Sequence, residues 1–316
     1  MAKADCTRWK GGDTMLKTKS AQYSSVGDRI FDVCNYCFMI FLVIITLYPF
    51  INMFALSFND ANDSIRGDIY FWPREWTIRN YEYVLSESNV FYATFISAAR
   101  TIVGTIVSVF CTAMLAFAIS RPEYKLKKFV SITFIFTMYF SGGLIPGYLL
   151  IKELGMLNSF WVYIIPGIIG VFNLIVIRSF IEGLPEGIME SAKMDGAGDL
   201  TTFVRIVLPL IVPALATVSL FVAVYQWNSW FDVFLYNSSR HNLSTLQYEL
   251  MKILSTSNTG ASAADQYANA QGNVQMVTPT SIRATMTIVA SVPIIMVYPF
   301  LQKYFVQGMV VGGVKG

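Results

Sequence analysis

Apolar residues in this chain come in long unbroken runs rather than in alternation with polar ones. Six runs approach the roughly 20 residues that a helix needs to cross a bilayer core. They are Val33–Phe54, Thr101–Ile119, Phe129–Leu150, Phe160–Phe180, Ile206–Tyr225 and Ala284–Phe305. The pattern predicts an all-α integral membrane domain over residues 31–316, preceded by a polar segment over 1–30. Pro49, Pro146, Pro166, Pro209, Pro213 and Pro293 fall in or at the ends of the runs, so kinked helices are expected. Ser141-Gly142-Gly143, just before Pro146, is the strongest candidate for a broken helix. Such a break is either a packing kink that lets helices approach closely or irregular backbone lining a cavity.

Composition supports the reading. Of 316 residues, 54% are hydrophobic and 14% charged, too few charges to coat a soluble globule, which carries about 25%. The net charge of +3 gives no nucleic-acid footprint, because the bases sit at the ends of the runs. Lys3, Arg8, Lys10, Lys17, Lys19 and Arg29 precede the first run; Arg121, Lys125, Lys127 and Lys128 follow the second; Lys193 and Arg205 follow the fourth. By the positive-inside rule these segments and both termini are cytoplasmic. Asn59–Val90, Ile151–Leu157 and Gln226–Arg283 are then outside, the last with a flexible tip at Thr256–Ala264. The N-terminus does not read as a signal peptide, because its first apolar run is long enough to span and has no small-residue cleavage site.

Candidate chemistry is sparse. Cys34 and Cys37 form a C-x-x-C inside an apolar run, and His241 is the sole histidine, so neither a metal site nor a catalytic set is expected. Arg100, at the edge of the second run, is expected to snorkel to the outer interface. No run otherwise carries a mid-membrane Asp, Glu, Lys or His, which ion-coupled carriers generally need. The energy for any transport must therefore enter elsewhere.

The polar stretch ESAKMDGAGDLTTFVRIVLP, residues 190–209, is where it could enter. Pro185 suits a helix start, and Leu184, Ile188 and Ala192 share one face. Gly196 and Gly198 end that helix, and Asp199 is expected to cap the next. Glu182, Glu186, Glu190, Asp195 and Asp199 would be repelled by anionic lipid, so the element reads as a protein-docking surface within a cytoplasmic loop over 181–205.

Glu190, Ser191, Ala192, three residues, Gly196, nine residues, Ile206-Val207-Leu208-Pro209 resembles the signature of importer-type ABC permeases, E-A-A, three residues, G, nine residues, I-x-L-P. Ser191 replaces the second alanine. The resemblance runs from about Gly27 to Gly316 and is nearest to carbohydrate permeases of the maltose-transport type, within them the complex-oligosaccharide group. Trp76-Thr77-Ile78-Arg79-Asn80-Tyr81, Phe140–Pro146, Tyr298–Phe305 and Gly313–Gly316 carry it. It implies a type I importer permease of six transmembrane helices in the bacterial cytoplasmic membrane, moving an oligosaccharide by alternating access. The implied partners are a second, similar permease, two cytosolic ATPase subunits and an extracytoplasmic solute-binding protein. Glu190, Ser191, Ala192, Asp195 and Gly196 would then form the coupling helix seated on an ATPase. Glu190 would face a basic group there, Ala192 would allow close approach and Gly196 would make the turn. No phosphate loop is present in the chain, so ATP and Mg would belong to the ATPase subunits, with no cofactor on this chain. Another solute is the main alternative; an ion-coupled carrier or membrane enzyme is disfavoured by the spans.

For the translocation path the candidates are Tyr139, Ser141, Asn173, Gln226 and Asn228, polar groups in or beside apolar runs. Asn173 could equally be helix glue. Trp227 and Trp230 suit either an interfacial aromatic belt, the favoured reading, or a sugar-stacking patch.

Overall fold

The computed structural model describes residues 26–86, 88–258 and 277–313. Lys3, Arg8, Lys10, Lys17 and Lys19, the loop tip beyond Asn258, and Val314, Lys315 and Gly316 lie outside them. Among the described residues all regular structure is helical; the one extended pairing is an isolated bridge between Asn59 and Trp76.

Past its charged first turns (Asp28, Arg29, Asp32), helix α1 (Val26–Ser57) is largely apolar all round, as suits a helix set in lipid, and Pro49 lies inside it. By its contacts the chain divides after Phe50. Within the second unit, α4 (Ser88–Ser120) is the axis. It packs against α7 (Val171–Glu182) and α11 (Val212–Asn228), and the last helix, α14 (Pro279–Gly313), packs on α11. Val109, Ala113, Ala116 and Phe117 of α4 meet Ile177 and Ile181 of α7 and Val218 of α11 in one buried cluster. Gly104 lets α4 and α11 approach: a Cβ there would come within 2.9 Å of Gln226 Nε2.

Gly27–Ser57, Asn89–Ser120 and Pro279–Pro299 are each long and apolar enough to cross a membrane. The runs expected at Phe129–Leu150 and Ile206–Tyr225 are helix pairs instead. Helices α5 (Lys127–Tyr139) and α6 (Leu144–Glu153) meet at 119°, and Asp199–Leu210 meets α11 at 82°. The first break falls at the anticipated place. Phe140 ends α5 in extended backbone, Gly143 takes a left-handed φ of 90°, and Ser141 Oγ accepts a 3.3 Å hydrogen bond from Gly143 N–H. The run Phe160–Phe180, where Pro166 made a kink expected, is divided outright. A 3-10 turn at Phe160–Tyr163 and non-helical backbone around Pro166 precede α7. At 1.5 Å per residue α7 alone is only ~18 Å long. Pro166 and the nearby glycines Gly167 and Gly170 account for the interruption.

Two short helices, α2 (Ala61–Ile65) and α3 (Arg79–Ser86), sit in the segment after α1. Asn59 organises it: its Oδ1 accepts from the Arg74 and Glu75 N–H groups, and its Nδ2 donates to Asp63. Asn80, 1% exposed, donates to the carbonyls of Ser57 and Asn59. Phe58 lies between Trp76 and Tyr81. The Trp76–Tyr81 stretch thus closes the segment back onto the end of α1.

Candidate functional sites

Pro185 precedes α8 (Glu186–Met194), with Glu186 in the first turn and Lys193 in the last, both favourable to the helix dipole. The helix ends in a Schellman motif. Gly196, φ 73°, donates its N–H to Lys193 O at 3.0 Å, and Ala197 N–H reaches Ala192 O at 2.9 Å. An added Cβ at Gly196 would meet nothing within 4 Å, so glycine is demanded by the backbone conformation and not by space. Asp199 departs from expectation: it is the first residue of α9 (Asp199–Thr202), and the cap is Gly198. Its carboxylate faces Arg121 instead, with 3.7 Å between Oδ1 and Nη2. A π-turn at Phe203–Val207 then leads into α10 (Leu208–Leu210). Pro209 has no N–H and its ring crowds the carbonyl four residues back, and the wider π ladder accommodates it.

Glu190, Ser191, Asp195 and Gly196 are exposed, whereas Ala192 is 5% exposed and turned into the chain. The segment is pinned to the loop after α4. Lys193 Nζ donates to Glu123 Oε1, and Arg121 holds Asp199 while its guanidinium lies 4.5 Å from the Phe117 ring. Lys193, chiefly by that hydrogen bond, holds the Glu123 carboxyl below its ordinary value of 4.5. Between these elements runs a groove of about 550 Å³ with an apolar floor of Met114, Phe117 and Phe203 and a rim of Arg121, Lys193 and Asp199.

Inside α4 itself the structure overturns one expectation. Arg100 does not snorkel; it is 1% exposed. Its Nη2 pairs with Asp232 Oδ2 at 2.5 Å and Nη1 with Asp232 Oδ1 at 3.2 Å. Nε and Nη2 both donate to Gln226 Oε1, at 3.1 and 2.9 Å. The Tyr163 ring lies 4.4 Å from the guanidinium carbon. Gln226, expected on the path, is 4% exposed and spends its amide inside the chain, donating to Tyr163 O at 3.2 Å. Trp227 is neither belt nor stacking patch: it is 8% exposed and donates to Ala290 O at 3.0 Å. Sequence reasoning missed Asp232 as a partner because it lay in an assumed loop. The available signal was Arg100 itself, an unpaired cation in an apolar run, with an acid just past the end of another run.

The remaining path candidates are more open. Tyr139 is 78% exposed and Ser141 is exposed at the α5–α6 break. Asn173 is half-buried near the start of α7, its amide against Gly170. Asn228 is exposed and accepts from Gln247 Nε2 at 3.1 Å.

No protein-family profile matches the chain. Individual relatives do. Over 291 residues it is 34% identical to the polygalacturonan/rhamnogalacturonan transport system permease protein YtcP of Bacillus subtilis (strain 168), covering 92% of this chain and 99% of that one. Over 303 residues it is 37% identical to the protein LplC of the same organism, covering 96% and 98%. Its fold matches a chain of a bacterial ABC transporter that imports the acidic polysaccharide alginate, with TM-score 0.80, 27% identity and coverage of 89% and 98%. Fold and relatives together define an all-helical, multi-pass permease of the cytoplasmic membrane. The chain belongs to the family of sugar-transport permeases of ABC transporters.

Proposed function

We propose that this permease pairs with a second, similar one, two cytosolic ATPases and an extracytoplasmic binding protein, and imports an oligosaccharide by alternating access. Uronate-containing oligosaccharides lead the substrate reading, because YtcP is named for polygalacturonan and the structural neighbour for alginate. Six crossings with both termini cytoplasmic complete it, the fourth being α7 with the broken segment before it. In favour of that topology, the two basic loops assigned to the cytoplasm touch each other through Lys193–Glu123 and Arg121–Asp199.

The observation that carries the coupling role is the α8–Gly196–α9 corner. It is a capped helix whose buried face is fixed to this chain, while Glu190, Ser191, Asp195 and Met194, 88% exposed, face outward. An ATPase cleft closing on ATP would drag this corner, and the helices tied to it would tilt as rigid bodies. ATP and Mg are then held by the ATPase subunits. Tyr139, Ser141, Asn173 and Asn228 are the candidates for lining the path, and Ala192 serves the corner by packing it tightly onto the chain.

Reconstitution of the complex with its binding protein tests the reading. Vesicles should take up labelled oligogalacturonides with ATP, and Glu190→Arg or Gly196→Asp should leave the chain inserted but abolish uptake. Normal ATP-dependent uptake by either variant would remove the corner from the coupling path. Stimulation by another solute class alone would keep the importer and discard the sugar.

A further inference from the structure

Helix α4 has two arginine anchors, Arg100 well inside it and Arg121 immediately after its last residue, Ser120. Arg100 and Arg121 are twenty-one positions apart, which at 1.5 Å per residue is ~31 Å, about the thickness of the hydrocarbon core. Arg100 alone gathers several elements. It grips Gln226 near the end of α11, the Ser229 carbonyl at 3.4 Å in the following turn, and Asp232 at the start of α12 (Phe231–Tyr236). Tyr163 beneath it donates to Leu243 O at 2.6 Å, and Ser97, one turn before on α4, accepts from the first N–H of α13 (Leu246–Asn258) at 2.9 Å. Asp232 also takes hydrogen bonds from Ser229 Oγ and its neighbour's N–H. Residues 226–246 are thereby fastened to one helix. At the C-terminal end, the loop leaving the same helix holds the coupling corner through Arg121 and Glu123.

A buried ion pair is seldom the most stabilising way to fill such a place; apolar residues of similar volume often do as well or better. What it gives is a directional, many-armed attachment. We infer that Arg100 and Asp232 are positioning residues that force the outer segment 226–246 to move with α4, so that engagement of the loaded binding protein on the outer side is passed down α4 to the coupling corner. This rests on the ATP-driven importer reading above.

The test uses the complete reconstituted complex, its binding protein and a glycan library containing oligogalacturonides. The readout is the ratio of ATPase rates with and without loaded binding protein. The double variant Arg100→Met/Asp232→Leu replaces the pair by apolar groups of similar size. It should assemble and unfold near the parent's temperature, yet the stimulation ratio should fall to within about twofold of unity and uptake at least tenfold. A structural plug would behave oppositely, with stimulation intact, and that result overturns the inference. Should the double variant fail to assemble, Asp232→Asn decides: it keeps shape and some hydrogen bonds, and a ratio equal to the parent's overturns the inference while a drop of threefold or more upholds it. A parent complex that no glycan-loaded protein stimulates would instead overturn the importer reading beneath it.

Discussion

Two sites along α4, Arg100 within the helix and the Arg121–Glu123 loop just past it, are both held by ion pairs, and they differ in how much water they see. The Arg100 side chain is 1% exposed and its partner Asp232 21%. At the loop, Arg121 and Asp199 are 13% and 84% exposed, and Lys193 and Glu123 are 48% and 60% exposed. Charges removed from water interact strongly and are costly to separate, whereas exposed pairs net only ~0–1 kcal/mol. The Arg100 site is therefore a fixed grip, and the Arg121–Glu123 site is an exposed contact that costs little to break and remake. A transporter that cycles between two shapes needs both kinds.

The comparison breaks first if the Arg100–Asp232 pair proves dispensable. Asp232→Ala leaves a buried guanidinium with only Gln226 and a carbonyl to answer it, and removal of one partner of a buried pair costs about 3–5 kcal/mol. Water reaching Asp232 puts the expected loss at the low end of that range. Asp199→Ala, removing an exposed partner, should cost below ~1 kcal/mol. Thermal unfolding of the two variants in detergent compares them directly, and equal losses would erase the distinction between the two sites.

Gly104→Val probes the same Arg100 grip from the other side. A Cβ at Gly104 would lie 2.9–3.2 Å from Gln226 side-chain atoms that Arg100 and Tyr163 hold in place. Overpacking of this kind costs ~1–3 kcal/mol. The same thermal scan should rank it between Asp232→Ala and Asp199→Ala, and a Gly104→Val protein as stable as the parent would mean that Gln226 can turn aside freely.

How far these features could be read beforehand depended on range. The break at Ser141–Gly143 and the turn at Gly196 are local, written in glycines with special backbone angles, and the sequence suffices for them. The helix Glu186–Met194 and its turn at Gly196 were legible because proline, acids and glycines there keep the spacing of a capped helix. Arg100 was not, because its partner lies 132 positions along the chain, and a cation at the edge of an apolar run looks the same whether it snorkels or pairs. Asp199 was misread for a related reason: a good capping residue took a long-range partner, Arg121, instead. In Phe160–Phe180 Pro166 announced a kink, but whether a proline bends a helix or ends it depends on the neighbouring glycines and packing, which hydropathy does not weigh.

The Gly196 turn offers the next measure. Gly196→Ala must place a side chain at φ 73°, a left-handed conformation that costs a non-glycine residue ~1–2 kcal/mol, with no clash added. The cost falls on the Schellman turn and not on the fold. Global unfolding should shift little while uptake falls several-fold; unchanged uptake would show that the turn angle is not what the partner reads.

The smallest expected effect concerns pH at Glu123. Its carboxyl titrates below 4.5 because Lys193 donates to the ionised form, so the folded value is lowered relative to the unfolded one. A group lowered in this way contributes its stability above the ordinary value and loses it as pH falls through the folded one. The tie between loop and corner should then be constant from about pH 8 to about pH 5 and loosen only below 4.5. Hydrogen exchange over residues 186–198, corrected for intrinsic rates, follows it when the parent is compared with Glu123→Gln. Their protection should differ by a fixed small amount through the neutral range and converge in acid. Convergence already above pH 5 would mean that Lys193 does not hold Glu123, and that of the two ion pairs only Arg121–Asp199 ties the loop after α4 to the corner.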